Sequence, residues 1–205
     1  MMGNRELKAR IRQLLEQDDF QNALETILRI PGRQAVNPLF SFFYSGEEQF
    51  RWRAVTAMGA VVCHMADTSM ESARVVMRRI MWNLNDESGG IGWGSPEAMG
   101  EITAGHAGLA DEFACIVVSY INPDGNFLEH EMLQRGSLWA VGRLPDPFLR
   151  GTAAWAAGPI VNDALAPLLK ALQPDDAPLR LYRQRQITET TVGSLAKAAL
   201  AAGTR

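Results

Sequence analysis

The stretch NLNDESGGIGWG, residues 83–94, gathers the residue types most able to meet a ligand: four glycines, two acids and a tryptophan. Glycine lets backbone amides approach a bound group closely, and indole offers both a planar face and one N–H donor. Ser95, Pro96 and Glu97 follow in the pattern of a helix start, with Ser95 as N-cap, Pro96 at the first helical position and Glu97 near the positive helix end. As chemistry, this is a binding loop at a helix N-terminus, with Glu87, Trp93, Ser95 and Glu97 as candidate contacts. As scaffolding, it is a long turn whose glycines only satisfy unusual backbone angles. The run lacks the Gly-Lys-Ser/Thr ending of a phosphate loop and follows no strand, so it gives little support to a nucleotide.

Charged residues recur near the predicted starts of other helices: Glu47, Glu48, Arg51 and Arg53, then His130, Glu131 and Arg135. Such a mixture can hold a partner or poise a general acid. Glu47–Arg51 and Glu131–Arg135 are also i,i+4 pairs, which is what ordinary helix surfaces carry. Arg51, Arg53, Glu131 and Arg135 complete the candidate partner-binding set. His64, His106 and His130 have no metal-ligand spacing, and no nucleophile–base arrangement can be assembled, so neither a metal nor a catalytic residue is expected. Cys63 and Cys115 sit in apolar surroundings, with no CxxC, and read as buried free thiols.

The elements that would position these residues are helical throughout. Apolar residues fall at i, i+3, i+4 and i+7 over 6–15 and 20–28, where Pro31-Gly32 stops the second segment. A third helix begins near Gln34. Further helical patterns cover 47–65, 70–84, 96–103, 109–120, 127–144, 147–158, 162–172 and 188–202. No run of apolar/polar alternation stands between turn signals, which predicts an all-α chain.

FRWRAVTAMGAVV (50–62) lies over IGWGSPEAMGEIT (91–103) without a gap: Trp52 meets Trp93, Ala57 meets Ala98, Met58 meets Met99 and Gly59 meets Gly100, a shift of 41 residues. RGSLWAVGRL (135–144) is a weaker third copy in which Ala140 and Gly142 fall 42 residues on. RGTAAWAAGPI (150–160) echoes it after only 16 more. A period near 41 with two helices per unit fits a helical solenoid. In that geometry the small residues let the next helix approach, and Gly59, Gly100 and Gly142 belong at equivalent contacts. Trp139 and Trp155 are expected in the core between repeats.

The pattern R-W-R-A-V-x-A-M-G resembles the second helix of HEAT repeats, including the shorter kind found in phycobilin lyases, and the resemblance covers about 34–172. It implies a right-handed α-α superhelix of about four HEAT-like repeats in a single domain over 1–205. N-terminal capping helices would occupy 1–32, repeats 33–172, and a connector with a capping helix 173–205. Proteins of this superfamily include scaffolds, lyases, di-iron hydroxylases and alkylpurine DNA glycosylases, so the resemblance fixes no function. The single His-Glu dipeptide, His130-Glu131, is out of place for a di-iron ligand set.

Composition narrows the field further. The chain has 205 residues, 47% hydrophobic and 21% charged, with a net charge of −3. Arginine outnumbers lysine 17 to 3. Arg74, Arg78 and Arg79 cluster, as do Arg180, Arg183 and Arg185, but net acidity argues against the long basic track a DNA-repair protein needs. No apolar run reaches the roughly 18 residues of a membrane helix, and the N-terminus lacks a signal-peptide core, so a cytoplasmic protein is expected. The expectation is a non-enzymatic module that holds a protein partner on its concave face, with no cofactor. The alternative is a small-ligand binder or enzyme using the 86–95 loop. Exposed apolar ends on a short solenoid would also suit a homodimer.

Overall fold

A computed structural model of the protein describes residues 3–85, 92–163, 165–183 and 186–203. Eleven α-helices are present among these: α1 (Asn4–Glu16), α2 (Phe20–Leu28), α3 (Gly32–Phe42), α4 (Glu48–Thr68), α5 (Met70–Asn85), α6 (Ser95–Gly105), α7 (Ala107–Ser119), α8 (Glu131–Arg143), α9 (Pro147–Ala156), α10 (Ala166–Leu172) and α11 (Val192–Gly203). The all-α class stands, with one antiparallel hairpin added to it. The chain packs into two compact units, Met1–Leu109 and Ala110–Arg205.

The first unit is a stack of three consecutive helix pairs, α1–α2, α3–α4 and α5–α6. α1 packs on α3, while α2 packs on α4 and α4 on α6, which gives two layers. Hydrogen bonds join α3 to α5: the Arg33 guanidinium donates to Ser72 Oγ at 3.1 Å and Arg79 donates to Asn37 Oδ1. The central helix α4 buries Ala54, Val55, Ala57, Met58, Val61 and Val62. Its crossing with α6 is close because Gly59 has no side chain; a Cβ there would lie 2.6 Å from Glu101 Cβ. The 41-residue period therefore appears as physical contact between equivalent turns. Gly59 meets Glu101, Cys63 donates to the Ile102 carbonyl at 3.5 Å, and Arg33 meets Ser72.

The proposed third copy behaves differently. Gly142 on α8 has only Leu172 within 4 Å of a notional Cβ, at 3.8 Å, so no close helix approach depends on it. The second unit instead builds its core around α11, against which α9, α10 and the hairpin pack. Strand β1 (Pro178–Arg183) pairs antiparallel with β2 (Gln186–Thr191), Leu181 opposite Thr188. The connector expected here, with a helix from about 188, is thus a strand pair with the helix starting at Val192. The reason is local. Leu179 and Leu181 alternate inward, 6% and 5% exposed, and β2 is rich in β-branched residues. Leu179 fills the space over Gly151 of α9, where a Cβ would lie 2.6 Å from it.

Three further expectations are corrected. Trp155 is 46% exposed rather than core, because α9 turns its small residues Gly151, Ala153 and Ala154 inward. Cys115 is exposed, and Cys63 is only half-buried. Helix α8 starts at Glu131 rather than near 127, since His130 caps it: its Nδ1 accepts from the Met132 amide at 3.2 Å. That bond gives His130 a structural task.

Candidate functional site

Helix α6 begins on a glycine. Gly94, not Ser95, is the N-cap, with φ of 73°. This left-handed backbone is open to glycine at little cost, and a Cβ would lie 2.9 Å from the Phe43 ring. Gly92 is equally constrained, since a Cβ would come within 2.7 Å of the Asn83 carbonyl. Packing against α3 and α5 thus explains both of these glycines. Glu87, with Gly89 and Gly90, lies outside the described residues.

The turn from Gly92, closed by the Ser95 amide donating to the Gly92 carbonyl at 3.0 Å, carries three polar side chains to the start of α6. Ser95 is 1% exposed. Its Oγ, the Trp93 Nε1 and the Glu97 Oε2 are all sealed from solvent, and none has a hydrogen-bond partner. Buried polar atoms are nearly always paired, because an unpaired one costs about 1–3 kcal/mol. Three orphans on residues 93, 95 and 97 are therefore the strongest polar anomaly of the first unit.

Burial pushes the Glu97 carboxyl above the usual carboxylate range. Its own backbone amide and the Arg51 guanidinium act in the opposite sense. The charge of Arg51 thus reaches Glu97 from the first turns of α4. Of the residues singled out in the sequence, Trp93, Ser95 and Glu97 all lie within one turn of the α6 start, and the charge of Arg51 acts on Glu97.

Arg53 is employed elsewhere. Its Nη1 donates to the carbonyls of Leu15 and Gln17, each at 2.8 Å, and its guanidinium stands 5.2 Å from the centre of the Phe20 ring. It clamps the α1–α2 turn onto α4. Glu131 and Arg135 form the expected i,i+4 pair at 2.7 Å on exposed α8 of the second unit. Sequence reasoning passed over Trp82, which is 72% exposed on α5. It also passed over the cleft between α3 and α5. An exposed tryptophan beside an arginine cluster was a readable signal, whereas the cleft depends on which helices become neighbours.

No family model matches the chain, and no curated protein matches it. Among solved structures, a designed armadillo repeat protein, YIII(Dq)4CqI, is similar at 16% identity and a TM-score of 0.40, over 97% of this chain and 100% of that one. A superposition that loose adds nothing to the fold as described. Among the described residues, no helix is long and apolar enough to cross a membrane.

Proposed function

We propose that the chain is a non-enzymatic interaction module whose stacked helix pairs hold a segment of a protein partner, with Trp93, Ser95, Glu97 and Arg51 at the contact. The observation that carries this reading is the set of three sealed, unpartnered polar atoms at the start of α6. These atoms are closed to solvent in this structure, so the reading requires the α6 start to open on binding. A partner's amide groups then have the matching chemistry, a carbonyl to accept from the Trp93 Nε1 and an N–H to donate to Glu97 Oε2 or Ser95 Oγ. Glu131 and Arg135, exposed on α8 of the second unit, are no part of this contact. The helix-pair stack supports it by shape, since repeats of this kind expose a large surface relative to their mass. The same orphan atoms favour a second reading, a small polar ligand bound at the α6 start.

Affinity capture from the native host separates the two, run with wild type and with a Trp93→Ala, Glu97→Ala double variant of verified fold. A protein retained by the wild type and lost by the variant is the expected result. A small molecule that co-purifies with the wild type alone would overturn the partner reading in favour of the second.

A further inference from the structure

A second surface, made by α1, α3 and α5, carries its own charge pattern. Two cavities sit side by side on this layer, of about 300 Å³ between α1 and α3 and about 280 Å³ between α3 and α5. Arg33 and Asn37 of α3 line both, so the two are adjacent clefts flanking α3, and a segment crossing α3 would meet both. Lys8, Arg33 and Arg79 supply the lining cations, against one lining carboxylate, Glu71.

That carboxylate is occupied: Arg78 and Arg74 of α5 both pair with it, which holds it below the usual range. The cleft cations meet neutral groups instead. Arg33 donates to Ser72, Arg79 donates to Asn37 while lying 4.2 Å from the centre of the Phe40 ring, and the Lys8 ammonium stands 5.6 Å from the centre of the Phe42 ring. Aromatic and amide partners orient a cation without cancelling its charge. The result is a fixed positive strip on a chain whose net charge is −3.

The floor of the α3–α5 cleft is apolar. Val36, Met65 and Val76 are buried there, and Val75 is 55% exposed at the edge. We propose that these adjacent clefts bind an extended acidic peptide segment, with carboxylates on Lys8, Arg33 and Arg79 and aliphatic side chains on the Val36–Val76 floor. Helices packed at about 10 Å make a three-helix crossing about 20 Å long, the reach of about six extended residues. A nucleic acid would also meet the cations, and Trp82, 72% exposed one turn beyond Arg79 on α5, could stack a base. The apolar lining of the clefts themselves is aliphatic, which favours a peptide's side chains. The inference uses none of the residues at the α6 start, so it stands or falls separately from the reading above.

The test is fluorescence anisotropy with the full chain and a short fluorescein-labelled peptide of alternating glutamates and leucines. Comparison probes are the glutamine analogue and a single-stranded oligonucleotide. Expected are saturable binding that weakens with added salt, and a loss of about tenfold or more for the glutamine analogue. A Lys8→Ala, Arg33→Ala double variant, both positions exposed and its fold checked by circular dichroism, should lose affinity similarly. Should it fail to fold, the analogue comparison on wild type decides alone. Equal binding of both peptides, tighter binding of the oligonucleotide, or no binding of the acidic peptide would overturn the proposal.

Discussion

Gly59 and Gly142 occupy matching places in the Ala-x-Gly motif and meet different surroundings. A Cβ on Gly59 would lie 2.6 Å from Glu101 Cβ and 3.4 Å from its carbonyl carbon, so Gly59→Ala must push α4 and α6 apart. The expected cost is about 2 kcal/mol, read as a lowered thermal or denaturant midpoint. Gly142→Ala would meet only Leu172, at an ordinary contact distance of 3.8 Å, and should be neutral or stabilise by up to about 1 kcal/mol through helix propensity. Glu97 gives a pH signature. Its folded-state carboxyl titrates above the ordinary range, so folding carries no ionisation penalty below the unfolded value near 4.5 and a growing one as pH rises toward the folded value. Glu97→Gln should therefore raise the melting temperature at neutral pH, and the gain should shrink as pH falls to about 4. A constant difference across that range would contradict the account. Trp93 and Glu97 were legible as candidates from the sequence, because tryptophan and acid flank a helix-start signal. The polar orphans were not, since burial of a side-chain atom depends on tertiary packing that local spacing does not contain.

At the scale of elements, spacing revealed the helices well and their caps less so. Gly94 took the cap assigned to Ser95 because the chain must turn with positive φ against Phe43, a tertiary demand that no local pattern contains. The hairpin was missed for a different reason. Its inward Leu179 and Leu181 form too short an alternation to stand out among helical signals. What holds the hairpin's lead-in is Arg150 on α9. Its Nε donates to Asp175 Oδ2 at 2.8 Å and its Nη1 to the Leu144 carbonyl at 2.6 Å, while Asp175 Oδ1 accepts from the Ala177 amide at 3.1 Å. Both charged side chains are largely buried, 13% and 22% exposed. Arg150→Ala strands Asp175 and should cost about 3 kcal/mol. A chemical denaturation curve measures it, and a loss under about 1 kcal/mol would mean the pair holds nothing.

For the whole molecule, the 41-residue period held where two copies agreed in sequence and lapsed where only a few small residues did. In the first unit it became direct contact, with α4 lying on α6 and α3 bonded to α5. In the second unit α11 and a hairpin, rather than another regular pair, close the core. The central claim is that the α6 start of this stack meets a protein partner. The most direct test is a titration of the partner retained by affinity capture, purified, against wild type and the folded Trp93→Ala, Glu97→Ala variant. Loss of two hydrogen-bonding groups at the contact predicts a dissociation constant weaker by about tenfold or more for the variant. Equal affinity for both proteins would place the partner elsewhere and contradict the claim.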